Sequence, residues 1–367
     1  MSSFDLRLLL DPPRYPANRY APLADRIKRL LATHANVVFV QAEAILALEA
    51  VAISIARPGR VAVNVVTSPY GAWFGTWLSR GGAGVHQVSA APGQPIDAAA
   101  VSACLERLPQ VDIIAAVHAE SSNGALNPLA ELAALARSRD ALFVVDAVAS
   151  VGGHPIDFDQ HGIDIAVIGA QKALAGPAGV SGVAVSARAW AHIAASPDVA
   201  PSSLSLMDLK RNWLERGRLA LPGMPPPLEF WALEAALDRV EAEGIEHVIA
   251  RHRQAARASR AGLRALGIEP WIARDEAASA LVTSAPVPTG VDAHTLIADA
   301  ARMGVELAPG YGEIEGRLVR LDHTGTRAKF DAVLANVTAY GTALERQRVD
   351  VDIGAAARAV NDVYAAR

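Results

Sequence analysis

From about residue 22 to residue 195 the chain alternates short apolar runs with amphipathic stretches, and that alternation predicts a parallel sheet with helices on its faces. The runs that read as strands are NVVFVQ, VAVNVVT, GVHQVS, VDIIAAVH, ALFVVDAV, DIAVIGA and SGVAVSA. Between them, PYGAWFGTWLSR and LAELAALARSR carry the helical spacing of apolar residues. Seven such strands predict a large α/β domain, doubly wound and mostly parallel. The pattern changes over 197–227, where a Pro-rich segment containing ALPGMPPPLEF reads as a linker. Long helical periodicity follows, then short strands (SALVTSA, GVELA, RLVRLD) and closing helices, the usual content of a smaller α+β domain. The expected division is 1–227 for the large domain with its N-terminal segment and linker, and 228–367 for a small C-terminal domain that includes an interdomain helix. The last twenty or so residues read as a helix whose partner the sequence does not reveal.

Composition narrows the function classes. The 367 residues are 51% hydrophobic and 20% charged, an ordinary globular balance, and the net charge of -4 leaves no electrostatic footprint for nucleic acid or an anionic membrane. Cys104 is the only cysteine, so neither an internal disulfide framework nor a cysteine-rich metal site is expected, and no metal is assigned. The opening MSSFDLRLLLDPPRYP carries too short an apolar run for a signal peptide, and no run of roughly 18 apolar residues occurs. These features predict a cytoplasmic protein without a membrane span.

In open α/β sheets ligands sit beyond the carboxyl ends of the strands. ALFVVDAVAS ends an apolar run on Asp146, and DIAVIGAQKALAGPAG ends another on Gln171 and Lys172 before a Gly/Pro turn. The spacing of 26 residues from Asp146 to Lys172 leaves room for a connection and a return strand, so the two are expected to share one crevice. Singly, Asp146 could cap the following turn and Lys172 could be a surface residue beside a loop. As a pair at neighbouring strand ends they suit pyridoxal chemistry, in which the amine forms a Schiff base with the aldehyde and the aspartate keeps the ring nitrogen protonated.

The stretch VVDAVASVGGHPIDFDQHGIDIAVIGAQKALAGPAGVSGVAVS resembles the core of the class V, fold type I pyridoxal enzymes, the alanine–glyoxylate aminotransferase group, and the likeness covers roughly residues 36–345. The resemblance implies that Lys172 is the Schiff-base lysine and that Asp146 pairs with the pyridine nitrogen. SPYGAWFG is similar to the motif that covers the ring, which implies Tyr70 stacked on its face. HAESSNGALNPL is similar to the loop beside the ring hydroxyl, which implies Ser122 and Asn123 there, with Gln171 in the same binding set. RLVRLDHTG is similar to the arginine-bearing stretch of the family, which makes Arg320 the clamp for a substrate carboxylate, a task suited to a planar guanidinium. Tyr70 and Asn123 could also be loop packing and a turn residue, and Arg320 a solvated strand-end charge. Sites in this group lie at subunit interfaces, so a homodimer or homotetramer is implied.

One junction departs from the family. Its members read approximately SGSGTAAME where a strand meets a helix, and hydroxyls and amides there hold the 5'-phosphate of the cofactor. This chain reads QAEAILALEA, and alignment on Glu49 puts Glu43 at a phosphate-binding serine and Ile45 at the threonine. Met224 in LPGMPPP stands where the family has a threonine that reaches the neighbouring subunit. A carboxylate in a first helical turn gains a few tenths of a kcal/mol from the helix dipole, which accounts for Glu43 but not for the missing hydroxyls.

The junction resembles HGEPVLGLEAA, that of a branch in which unphosphorylated pyridoxamine and pyridoxal are substrates, and SPYGAWFGTW, GQPIDAAAV and GVDAHTL are further matches. That resemblance implies a transaminase working between pyridoxamine and a small 2-oxo acid, pyruvate in the branch, with no tightly bound cofactor. Glu43 would then accept a hydrogen bond from the ring's hydroxymethyl group. Tyr311 in GYGE replaces an arginine of the branch near the oxo-acid carboxylate, and Asp322 replaces a glycine beside Arg320. Small-molecule substrates are the expected partners. Two alternatives stand beside this reading: a conventional aminotransferase or lyase dependent on pyridoxal 5'-phosphate, and a non-catalytic vitamin B6-binding protein.

Overall fold

In the computed structural model, residues 10–195 and 202–366 are described. Most of the N-terminal apolar run and the residues 196–201, where the Pro-rich segment begins, lie outside them. The seven expected strands are β1 (Asn36–Val40), β2 (Val61–Val66), β3 (Gly84–Ser89), β4 (Ile113–Val117), β5 (Leu142–Asp146), β6 (Ile165–Gly169) and β7 (Ser181–Val185). They form one sheet in the order β1-β7-β6-β5-β4-β2-β3, in which β7 alone runs antiparallel to its neighbours β1 and β6. β4, β6 and β7 are buried at every position because helices cover both faces, which is why their sequences are apolar without alternation. β3 closes one edge and is largely exposed.

The helices that follow β1 and β2 matter most for the site. α1 (Tyr20–Leu30) packs over β1, and α2 (Ala44–Ile55) leaves the end of β1 as a helix apolar nearly all round, buried on most of its faces. α3 (Pro69–Arg80) leaves β2; Ser68 caps it by accepting the Tyr70 amide at 3.2 Å, and Pro69 opens it. Gly71 lets this helix lie on the strand, since a Cβ there would stand 2.8 Å from the Val65 carbonyl oxygen.

A second sheet, β8 (Val282–Pro286), β9 (Ala308–Pro309) and β10 (Leu318–Asp322), is antiparallel in the order β8-β10-β9. The large core follows the seven-stranded sheet and a separate one lies under the small sheet. The residue-227 division falls at the head of helix Pro227–Glu243, whose Phe230, Leu233, Leu237 and Val240 pack into the large core against Phe39 and Tyr20. The next helix, Ile245–Ala265, sends Ala255, Ala258 and Leu263 into the small core. The terminal helix Ile353–Ala365 finds its partner there: Val360 sits against Gly262, where a Cβ would meet Val360 at 2.9 Å and Val337 at 2.8 Å. Among the described residues no helix is long and apolar enough to cross a membrane.

Candidate active site

The ends of β2, β4, β5 and β6 converge on one cavity of about 370 Å³, lined among others by Glu43, Ile45, Tyr70, Trp73, Glu120, Ser121, Asp146, Lys172 and Tyr311. Asp146 is the last residue of β5, and Lys172 lies in the turn after β6, the neighbouring parallel strand. Adjacent parallel strands end at the same level, so both groups reach one space. One oxygen of Asp146 accepts the Val148 amide at 2.9 Å, which leaves the other for a ligand N–H. Burial pushes the Asp146 carboxyl up to about 6, against the pull of that amide and of Lys172. The Lys172 amine touches one side-chain partner, Ser121 Oγ at 3.4 Å. Its pKa is lowered, first by burial and then by the Arg320 charge, and this favours the neutral nucleophilic form.

Glu43 is the N-cap of α2. Its Oε2 accepts the Ile45 amide at 2.8 Å and its Oε1 accepts the Gln171 side-chain amide at 2.7 Å. The helix end that would present free N–H groups to an anion is thus occupied by a carboxylate of the chain itself.

The other expected residues divide. Tyr70, in the first turn of α3, lines the cavity and meets Trp73 edge to face at 5.6 Å. Arg320, on β10, is held by the Pro309 carbonyl from Nε at 3.0 Å and by the Ser121 carbonyl from Nη1 at 2.8 Å. Among the described residues its Nη2 has no hydrogen-bond partner, so that nitrogen is available to a carboxylate. Asp322, one strand residue beyond Leu321, accepts the Thr324 amide at 2.9 Å. Ser122 is buried and its hydroxyl has no partner, whereas its neighbour Ser121 faces the cavity. Asn123 bonds the Thr67 carbonyl and the Ala125 amide, so its side chain holds the loop. Met224 is 93% exposed on its loop.

Glu120 joins the site unannounced by the Asp146–Lys172 pattern, although it follows β4 much as Asp146 ends β5, and its strand-end position is its signal in the sequence. It is fully buried, accepts the Thr67 hydroxyl at 2.5 Å, and burial pushes its carboxyl up to about 7. Trp73 and Ser121 differ from it: a tryptophan on an amphipathic helix and one serine of a pair carry no signal of their own in the sequence.

The family model for aminotransferase class-V matches residues 18–312. The chain belongs to the class V aminotransferases. Pyridoxamine–pyruvate transaminase of Mesorhizobium japonicum is 35% identical over 91% of this chain and 85% of that protein. Alanine–glyoxylate aminotransferase of Callithrix jacchus is 32% identical over 77% of this chain and 69% of the relative. The crystal structure of pyridoxamine–pyruvate aminotransferase from Mesorhizobium loti superposes with a TM-score of 0.91 at 32% identity, covering 95% of this chain and 89% of that one. The protein is therefore an aminotransferase of the fold expected from its strand pattern. Class V aminotransferases are dependent on pyridoxal phosphate. The cavity's donor set fits the ring half of that group: a carboxylate with a spare oxygen, an amine with one weak contact, and an aromatic side chain beside them. The phosphate half does not fit at α2, where Glu43 takes the donors and adds a negative charge.

Proposed function

We propose that this aminotransferase exchanges the amino group between unphosphorylated pyridoxamine and a small 2-oxo acid. In the net reaction the ring's C4' carbon gives up its amino group and two electrons to the oxo carbon; the oxo acid's oxygen leaves as water on condensation, and a water consumed on hydrolysis supplies the aldehyde oxygen of pyridoxal. The observation that carries this reading is the Glu43 carboxylate capping α2 and held by Ile45 and Gln171. A phosphate at that place would lack three or four charge-assisted hydrogen bonds at about 1.5 to 3 kcal/mol each. The deficit of roughly 5 to 12 kcal/mol corresponds to about three to nine powers of ten in affinity. A hydroxymethyl group, in contrast, can donate to a remaining lone pair of Glu43. The relative named pyridoxamine–pyruvate transaminase supports the same reading, with pyruvate as that protein's oxo acid.

When bound, the protonated pyridine ring supplies a sink for the electron pair released at C4'. Asp146, the carboxylate with one free oxygen, holds the proton on the ring nitrogen. Lys172, as a neutral amine, would carry the proton between C4' and the acid's α-carbon, and with pyridoxal it would condense at the aldehyde carbon with loss of water. Tyr70 bounds the ring pocket, and Arg320 binds the acid's carboxylate through Nη2. Ser121 is the hydroxyl within reach of the Lys172 amine.

The test is an absorbance titration of the purified chain with pyridoxal and with its phosphate. Pyridoxal should bind at least about tenfold more tightly, and Glu43→Ser should narrow the gap. A wild-type preference for the phosphate of tenfold or more would show that the ring arrives as an ordinary cofactor.

A further inference from the structure

Two cavities meet at one aromatic pair. Beyond the ring pocket, a second space of about 410 Å³ lies along the ends of β2 and β3, walled by residues that include Thr67, Ser89, Ala91, Gly93 and Ile314. Trp73 and Tyr311 line both spaces. The rings of Tyr70, Trp73 and Tyr311 form an edge-to-face ladder with centroid separations of 5.6 and 5.8 Å. Within the single chain Trp73 and Tyr311 are 37% and 46% exposed.

The loop that carries Tyr311 is built to hold it there. Gly310 has no room for a side chain, since a Cβ would stand 2.3 Å from the Ile314 carbonyl oxygen. Gly312 has φ +69, and its Cβ position lies 3.1 Å from the Pro69 ring at the head of α3. Two residues before Tyr311, the Pro309 carbonyl anchors Arg320. The carboxylate clamp and the outer aromatic wall are thus set by a single loop.

An oxo acid with its carboxylate on Arg320 and its carbonyl carbon at Lys172 has one remaining substituent, and Trp73 and Tyr311 stand where the ring cavity and the outer space share a wall. Among the described residues lining the outer space the one charged side chain is Glu313, and no lysine or arginine is present. Within this chain a second carboxylate would meet the Glu313 charge there and find no lysine or arginine among these lining residues. Apolar or aromatic side chains would bury surface against two rings.

We propose that Trp73 and Tyr311 form the side-chain pocket of the acid half of the reaction, selecting 2-oxo acids whose side chain is uncharged, apolar or aromatic, and longer than a methyl group. The proposal rests on the transamination reading above and adds the class of acid that the site takes. In a hydrophobic pocket one methylene changes kcat/KM by roughly tenfold to two-hundredfold.

The experiment uses the full chain with pyridoxamine as amino donor and four acids: pyruvate, 4-methyl-2-oxopentanoate, phenylpyruvate and 2-oxoglutarate. The two larger uncharged acids should exceed pyruvate in kcat/KM by about tenfold or more, with 2-oxoglutarate the poorest. Tyr311→Ala should raise the KM for phenylpyruvate about tenfold without moving the KM for pyridoxamine, Tyr311→Phe should keep the preference, and Tyr311→Arg should improve 2-oxoglutarate. A preference for pyruvate, or a phenylpyruvate preference that survives Tyr311→Ala unchanged, overturns the pocket while leaving the transamination reading standing. Failure of all four acids with pyridoxamine overturns both.

Discussion

Among the described residues the Lys172 amine has one side-chain hydrogen-bond partner, Ser121 at 3.4 Å, and its pKa is lowered mainly by burial. Such an amine contributes little to the fold, and its neutral form is costly to replace in the chemistry. Lys172→Ala should abolish turnover and the visible absorbance of bound pyridoxal while the thermal midpoint stays level or rises. Measurable turnover by the alanine variant would remove the pyridoxal assignment. Arg320 makes a different case, because two of its nitrogens support the Pro309 and Ser121 carbonyls and the third is left for substrate. Arg320→Lys keeps the charge and loses the fork, so it should raise the oxo-acid KM about tenfold or more with little change in the pyridoxamine KM. Equal changes in the two values would mean that the residue only shapes the pocket.

At the level of elements, α2 explains why one substitution should have two separable effects. Glu43 both caps the helix and excludes a phosphate. Glu43→Ala should lower stability by about 0.5 to 2 kcal/mol in urea unfolding, the range of a lost N-cap, and should at the same time tighten pyridoxal phosphate relative to pyridoxal. A stability loss without a shift in ligand preference would reduce Glu43 to a cap. The contact of the terminal helix with the helix Ile245–Ala265 depends on Gly262, where a Cβ has 2.8 Å to Val337 and 2.9 Å to Val360. Overpacking of this kind costs about 1 to 3 kcal/mol, so Gly262→Ala should unfold at lower denaturant with catalysis per folded molecule unchanged.

For the whole molecule, the seam between the two sheets is lined by buried histidines. His154 accepts the Ala280 amide, His252 accepts the Gly325 amide, His323 meets Thr283, and His118 lies edge-on to His154. Burial holds His118, His252 and His323 down at about 4, and His154 is also lowered well below the ordinary imidazole value. Folded pKa values below the unfolded ones mean that the unfolded chain takes up protons first on acidification, so the stability these groups contribute is complete above about pH 6.5 and is lost toward pH 4. Glu120 and Asp146, pushed up to about 7 and about 6, act in the opposite sense: their contribution is present at low pH and is lost as pH rises through those values. Four imidazoles outweigh two carboxyls, so urea unfolding of the ligand-free protein should show stability falling between pH 6.5 and 4.5. Each extra proton on the unfolded side steepens the fall by about 1.4 kcal/mol per pH unit. His252→Gln, with nothing to protonate, should show a shallower slope; a slope parallel to wild type would mean that His252 titrates normally.

Strand number, the Asp146–Lys172 crevice and the odd character of the α2 junction were legible in the sequence, because each depends on local pattern: apolar runs set by burial on both sheet faces, and strand ends that deliver the residue following the run. The chain order also carried Glu43, since a carboxylate at a helix start is a local fact. What it did not carry is which groups spend their hydrogen bonds on the fold. Ser122 turns inward while Ser121 meets the lysine, Asn123 ties its own loop, and Gln171 is bound to Glu43, and these outcomes depend on backbone direction and on neighbours far along the chain. The Tyr70–Trp73–Tyr311 ladder is likewise a product of tertiary structure, since its last ring is carried by the small sheet's loop onto α3. Periodicity reports which face of an element is buried; only the packing of one element on another decides which polar atoms remain free to meet a ligand.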